Sequence, residues 1–248
     1  MQENITGMVL GSSPIGDYDK RIILLTKEYG KISAFAKGAR KQNSPLLACL
    51  QPFTFGKFLV YRGKDSNRII KVFVENYFTE LRSDLNGIYY AYYFCEMADY
   101  FSVENVDGYE MLILLYQSFR GIMSPSIDNR LIRCIMELKM LTLNGESPRV
   151  FACAKCGADK GLHYFVIKEQ GVLCDLCGSA VAGLYISDTA LFTMQKIIRS
   201  DCKSLFSFSV SERVLDELHI LIGSYWNNRV DREFRSKEIL EDTLREIL

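Results

Sequence analysis

Over residues 1–80 apolar and polar positions alternate in short runs, the two-residue period of an extended strand. Runs at 5–11, 21–27, 31–37, 53–61 and 69–78 are rich in Ile, Val, Phe, Tyr and Thr. They are separated by Ser12-Ser13-Pro14-Ile15-Gly16-Asp17, by Glu28-Tyr29-Gly30, by a longer piece around Pro45 and by Gly63-Lys64-Asp65-Ser66-Asn67. These are turn formers. Five short strands in so little chain suit a small closed barrel, and the OB-fold is the commonest of that kind. Within 31–37 the small apolar Ile32, Ala34 and Ala36 face one side, while Lys31, Ser33, Phe35 and Lys37 face the other. Along 69–77, Ile70, Val72 and Val74 are expected inside, with Lys71, Phe73 and Tyr77 opposite.

From residue 83 to 145 the apolar period becomes helical. One stripe carries Tyr90, Tyr93, Phe94, Met97 and Phe101, a second Leu112, Leu115, Phe119 and Ile122, a third Leu131, Cys134, Ile135, Leu138 and Leu141. Breaks fall at Asp107-Gly108, Ser124-Pro125-Ser126 and Asn144-Gly145. Tyr89, Tyr90, Tyr92 and Tyr93 are too dense to lie wholly inside one helix contact, so part of this cluster is expected against the barrel or the ribbon described below. Arg130, Arg133 and Glu137 form the polar face of the third helix, with Arg133 and Glu137 spaced for surface i,i+4 support. Further on, Ser187-Asp188 reads as a cap for a helix through 198, and Ser209-Val210-Ser211-Glu212 has the form of a capping box. A last helix, 236–248, carries Leu240, Leu244 and Ile247. His219 and Trp226 read as packing residues. The predicted fold is α+β: an OB barrel at 1–80, a helical bundle at 81–149 and 184–248, and a metal ribbon at 150–183 inserted into the bundle.

The ribbon follows from four cysteines: Cys153 and Cys156, then Cys174 and Cys177, two Cys-x-x-Cys pairs with 17 residues between them. That spacing is expected of a four-thiolate zinc site, in which each tight turn supplies two corners of a tetrahedron. Gly157 and Gly178 follow the second cysteine of each pair, where a turn often needs positive φ. Strands are expected at 162–167 and 171–173. Two redox dithiols or two disulfides are the alternatives, but a redox pair is usually single and borne on a helix. Four cysteines leave no open position for a catalytic water, so the expected zinc is structural. His163 reads as a strand residue. About 30 residues cannot bury enough apolar surface to fold without such a staple.

Composition places the chain among ordinary globular proteins, with 24% charged and 48% hydrophobic residues. Its longest apolar run, 88–95, is far short of the ~18 residues of a membrane span. The first residues lack a basic segment followed by an apolar one, so no signal peptide is expected. Cys49, Cys95, Cys134 and Cys202 read as buried small hydrophobes, and reduced thiols with zinc indicate a cytoplasm. Net charge is zero, yet residues 1–80 carry a net of +5 and the remainder −5. The basic front suggests an anionic partner for the barrel.

Aromatics interleaved with cations on a strand face can stack bases and track phosphates. The same pattern also suits rings packed beneath another domain with lysines for solubility. The connector 37–45 adds Lys37, Arg40 and Lys41, which can reach a phosphate backbone or form a solvated loop. No phosphate-cradling loop, nucleophile elbow or zinc-protease motif occurs, so a binding protein is favoured over an enzyme.

Five stretches carry a resemblance. Gly16-Asp17-Tyr18-Asp19-Lys20-Arg21-Ile22-Ile23-Leu24-Leu25-Thr26-Lys27-Glu28-Tyr29-Gly30-Lys31, then Ala36-Lys37-Gly38-Ala39-Arg40-Lys41 and Leu50-Gln51-Pro52-Phe53, resemble the RecO family of bacterial recombination mediators. Leu143-Asn144-Gly145-Glu146-Ser147-Pro148 and Arg235-Ser236-Lys237-Glu238-Ile239-Leu240 are similar to its helix-to-ribbon junction and C-terminal helix. The resemblance implies a DNA repair and recombination protein of the RecF pathway, cytoplasmic and nucleoid-associated, that binds single- and double-stranded DNA and anneals complementary strands. It implies help in loading recombinase onto DNA coated with single-stranded-DNA-binding protein, with RecR and that coating protein's acidic, apolar C-terminal tail as partners, and no ATP hydrolysis. Carried over, Lys37, Arg40 and Lys41, with Arg21, are DNA-contact candidates. Phe35, Lys57, Arg62, Arg68 and Lys71 come from strand alternation instead. Arg130 and Arg133 are candidates for the tail, as exposed cations beside an apolar groove. The alternative reading is a zinc-ribbon transcriptional regulator or protein-binding scaffold.

Overall fold

The computed structural model describes residues 1–247, the side chains of 246 and 247 excepted, so Ile247 of the expected last stripe lies outside the described side chains and Leu248, the expected end of that helix, outside the described residues. Five strands come first: β1 Gln2–Ile15, β2 Asp19–Thr26, β3 Gly30–Ala36, β4 Phe55–Arg62 and β5 Asn67–Asn76. Helices α1 Thr79–Ser83, α2 Leu85–Phe101, α3 Tyr109–Ile122 and α4 Asn129–Leu143 follow. Then come β6 Tyr164–Val166, β7 Gly171–Leu173, the short α5 Asp175–Gly178, β8 Leu184–Tyr185, α6 Asp188–Arg199, α7 Glu212–Arg229 and α8 Arg235–Ile247.

The first five strands form a closed barrel in the order β1-β2-β3-β5-β4, with β4 returning to β1. Neighbours pair antiparallel except β3 and β5, which are parallel and joined through Ala34↔Asn67 and Phe35↔Arg68. Ser12 to Ile15, expected in a turn, instead extend β1 along β2 as far as Ile15↔Asp19. The hairpin ends in a turn at Gly16, where φ is +53°. The barrel core holds Ile5, Val9, Ile22, Leu24, Ile32, Ala34, Ala36, Phe58, Val60 and Ile69. The small side chains expected inside β3 are therefore there. The expected inward Ile70 is not. Between Lys71↔Leu59 and Ile69↔Val60 the register shifts, and Ile70 is the extra residue of a β-bulge, 41% exposed. A bulge changes the parity of every residue beyond it, which is why Ile69 and Val72 both face inward. Tyr77 lies past the end of β5, with its hydroxyl 3.7 Å from the Cys49 sulfur. Cys49 is only half-buried, whereas Cys95, Cys134 and Cys202 are buried as expected.

The chain forms two compact units, one of residues up to Phe119 with those from Phe234 onward, the other Arg120–Glu233. The first therefore joins the barrel to α1, α2, most of α3 and α8, a grouping that alternation along the chain did not suggest. Here the tyrosine cluster divides: Tyr90 and Tyr93 are buried, while Tyr89 and Tyr92 line a cavity of about 540 Å³ together with Leu10, Gly11 and Ile23 of the barrel. Phe53 and Phe78 adopt left-handed backbone (φ 74° and 50°), and both rings meet Phe119 edge-on at 5.4 and 5.3 Å.

In the second unit α4 packs on α6 and α7. Ser187 caps α6 by accepting from the Ala190 N–H at 3.2 Å, as expected. Lys139 caps its other end, donating to the carbonyls of Ile198 and Ser200. The capping box does not form: Ser211 is the N-cap of α7 but makes no side-chain cap bond, and Glu212 bonds Arg130 instead. Trp226 is buried as read, but His219 lies on the exposed face of α7.

Candidate nucleic-acid face and metal centre

The barrel exterior gathers the candidate DNA residues by register. Arg21 lies opposite Phe35, Phe35 opposite Arg68, and Arg68 opposite Tyr61, so one row crosses β2, β3, β5 and β4. All four side chains are exposed, while Ile22, Ala34, Ala36, Val60 and Ile69 beside them in the strands are buried. Arg21 is steadied by a 2.9 Å bond from Nε to Ser33 Oγ. A second row places Lys57 opposite Phe73, with the Lys71 ammonium 4.6 Å from the Phe73 ring centroid. This is the outward face the alternation of β3 and β5 implied, apart from Tyr61. Tyr61 is followed in sequence by Arg62, which bonds elsewhere; the cation that stands opposite it, Arg68, is on another strand.

The loop after β3 packs against the β1–β2 turn. The Arg40 N–H donates to Tyr18 O and its guanidinium to Gly16 O at 2.9 Å, while Asp19 accepts from the Gly38 N–H at 2.7 Å. Lys37, Arg40 and Lys41 are exposed, and the Lys41 ammonium lies 5.5 Å from the centroid of the exposed Tyr18 ring. Burial, and then the neighbouring Arg40 charge, pull the Lys20 ammonium below its ordinary range. Cations are crowded here, which is the condition an anion relieves.

Three candidates sit elsewhere than expected. Arg62 is turned away from the row: its guanidinium stacks 3.7 Å from the Tyr29 centroid and donates to Asn105 Oδ1 at 2.9 Å. Arg133, expected as an exposed cation, is 4% exposed and paired at 2.8 Å with Glu137, itself 2% exposed. An i,i+4 charge pair reads the same on a buried face as on a wet one, so sequence spacing could not separate the two. Arg130 is half-buried and already held by Asp128, Glu212 and Asp216, a setting that disfavours an acidic peptide.

In the second unit the sulfurs of Cys153, Cys156, Cys174 and Cys177 all lie within 4.8 Å of one another. Four thiolates about 2.3 Å from one zinc would sit ~3.8 Å apart, and Cys156 and Cys174 are separated by 3.6 Å. The donor set therefore fits a closed tetrahedral metal. Burial would raise the Cys153 thiol, but N–H groups of Cys156, Cys174 and Lys155 directed at its sulfur bring it down to about 6. Gly157 has φ +78°, as a tight knuckle requires. Gly178 is helical instead; a Cβ there would come 2.4 Å from the Tyr164 ring, so close packing is what demands the glycine. β7 spans 171–173 as expected, whereas β6 is shorter than the expected 162–167; β6 pairs with both β7 and β8. His163 precedes β6 and bridges Asp175 at 2.9 Å and Asp188 at 3.4 Å, tying the second knuckle to the start of α6; Asp175, first, then Asp188 hold its pKa up against partial burial.

No helix among the described residues is long and apolar enough to cross a membrane. Residues 1–78 match the family model "Recombination protein O N terminal", and residues 82–238 match "Recombination protein O C terminal". A protein of Acetivibrio thermocellus named DNA repair protein RecO is 31% identical over 238 residues, covering 95% of each chain. One of the same name from Symbiobacterium thermophilum is 31% identical over 247 residues, 98% of this chain and 97% of that one. A third, from Bacillus pumilus, is 29% identical over 94% of this chain and 91% of its own. With both halves matched, relatives aligned nearly end to end, and a five-stranded barrel followed by helices and a cysteine cluster, the chain belongs to the RecO family of DNA repair proteins.

Proposed function

We propose that this protein binds single- and double-stranded DNA through its barrel, anneals complementary strands, and helps load recombinase onto DNA coated with single-stranded-DNA-binding protein. The observation that carries the reading is the exposed row of alternating cations and aromatics on the barrel, together with the exposed Lys37, Arg40 and Lys41 in the loop that follows β3. Cations neutralise phosphates and release counterions, while rings stack on bases of any sequence. Arg21, Phe35, Lys57, Arg68 and Lys71 complete the contact set, from which Arg62 is withdrawn. RecR and the coating protein's C-terminal tail are the partners the family brings; Arg133 is not offered as a tail contact, since it is buried. Cys153, Cys156, Cys174 and Cys177 would hold a zinc ion whose role is to fold the ribbon.

Binding to an oligonucleotide should fall steeply with salt. Replacing Lys37, Arg40 and Lys41 together with alanine should lower the log–log salt slope for single strands by roughly two units, about 0.7 for each lost phosphate contact. The melting curve should move only slightly, because the three side chains are exposed and the hydrogen bond lost with Arg40, to Gly16 O, lies at the surface. An unchanged slope with the fold intact removes the loop from the interface. Strand annealing measured with complementary oligonucleotides, with and without the coating protein, tests the wider reading; sequence-selective duplex binding without annealing would overturn it.

A further inference from the structure

The four cysteines of the metal centre are not equally protected. Cys153 and Cys174 are buried, Cys177 is half-buried and Cys156 is exposed. One corner of the cluster therefore faces solvent, and its sulfur lies 3.6 Å from that of Cys174 on the other knuckle. An accessible thiolate in contact with a shielded one is the arrangement of an oxidation site and its resolving partner. We propose that Cys156 is a peroxide-sensitive modification site: a hydroperoxide oxidises it, Cys174 closes a disulfide onto it, and the ribbon gives up its metal and unfolds. The inference rests on the zinc reading above and adds to it a point of attack and a reversible loss of structure.

The chemistry balances with hydrogen peroxide as the oxidant. The Cys156 thiolate attacks one peroxide oxygen; an S–O bond forms as the O–O bond breaks, and the leaving hydroxide takes a proton to become water. Cys156 is then a sulfenic acid, its sulfur oxidised and the peroxide reduced. The Cys174 thiolate attacks that sulfur, an S–S bond replaces the S–O bond, and hydroxide leaves to be protonated in turn. Only Cys153 and Cys177 then remain as thiolates, and two ligands cannot complete a tetrahedron.

The other cysteines do not compete. Cys95, Cys134 and Cys202 are buried, and burial pushes the Cys95 and Cys134 thiols far up, so neither presents a thiolate to the oxidant. Cys49 is half-buried, but its sulfur meets Pro45 O and the Tyr77 hydroxyl rather than a second sulfur, which leaves it without a resolving partner. Loss of the quartet would not stay local. Asp175, inside the second knuckle, is tied through His163 to Asp188 at the start of α6, and Phe165 of β6 meets Tyr225 of α7.

The full chain, reduced and zinc-loaded, is treated with hydrogen peroxide, and zinc release is followed with a chromogenic chelator beside peptide mass mapping and circular dichroism. One zinc should leave per disulfide formed, the first disulfide should map to Cys156 and Cys174, and dithiothreitol with added zinc should restore the starting spectrum. Cys156→His leaves three cysteines and one histidine, a donor set that holds zinc, and should release it at least about tenfold more slowly because the exposed sulfur is gone. Cys177→His keeps that sulfur and should release zinc at the unmutated rate. Elemental analysis before oxidation separates the two readings: a protein without zinc overturns the metal reading itself. If zinc is present and peroxide leaves it in place, or the first disulfide joins other cysteines, or Cys156→His loses zinc as fast as the unmutated chain, the oxidation site is wrong while the structural zinc stands. Should Cys156→His fail to take up zinc, the disulfide map of the unmutated chain decides alone.

Discussion

Cys174→Ser should leave the four-cysteine cluster of the second unit unable to hold a metal and melt the ribbon. The unmutated protein should carry one zinc by elemental analysis and the variant none. The ribbon strands are two or three residues long, and the apolar side chains they bury (Phe165, Val166, Val172 and Leu173) form too small a core to hold them alone. In peptides of this kind the apparent free energy of zinc binding is on the order of 10–16 kcal/mol at neutral pH, and it is also the free energy of folding. Phe165 packs edge-on against Tyr225 of α7 at 5.8 Å, and Gln195 of α6 donates to Val150 O at 2.7 Å. Loss of the ribbon should therefore loosen α6 and α7 too, and a chelator should reproduce the effect on the unmutated chain. A variant that keeps its zinc, or melts at the same temperature without it, would show that the cysteines serve another purpose.

Glu137→Ala should cost about 3–5 kcal/mol in urea unfolding, the usual penalty for leaving one member of a buried ion pair behind. The reasoning turns on burial, since Arg133 and Glu137 face the interior of the second unit among Leu131, Ile135 and Leu138. Removing both charges is a different matter. Arg133→Met combined with Glu137→Leu should be near neutral, because two desolvation penalties disappear along with the attraction between the charges. Were the single variant to cost less than ~1 kcal/mol, as an exposed i,i+4 pair does, the side chains would have to be in water. A double variant as unstable as the single would sink the argument equally.

That pair marks where sequence reasoning stops. Helical spacing places both residues on one stripe, but a stripe does not say what faces it, and nothing local in sequence separates a wet polar stripe from a buried one. The cysteine quartet was legible because four ligands within a short segment define their own geometry. So were the inward Ile32, Ala34 and Ala36, since alternation within one strand needs no partner. Ile70 was misplaced because a bulge depends on the opposing strand, here the step between Leu59 and Val60. Tyr61 and Tyr18 went unnoticed for a related reason. The cations that give them meaning, Arg68 and Lys41, are brought near by register and by a loop contact, neither of which is local in sequence.

The two pairs that join β3 to β5 make a short zipper in an otherwise long-stitched cylinder, steadied by the Asn67 amide donating to Ser33 O. Backbone amides at this join should exchange with deuterated solvent sooner than those of β1, whose ladders to β2 and β4 are several times longer. An oligonucleotide lying over Phe35 and Arg68 would bridge the two edges like a strap across an opening. Its arrival should slow that exchange and raise the melting temperature with ligand concentration, so the stretch of wall that breathes most readily is also the one the bound strand would hold shut.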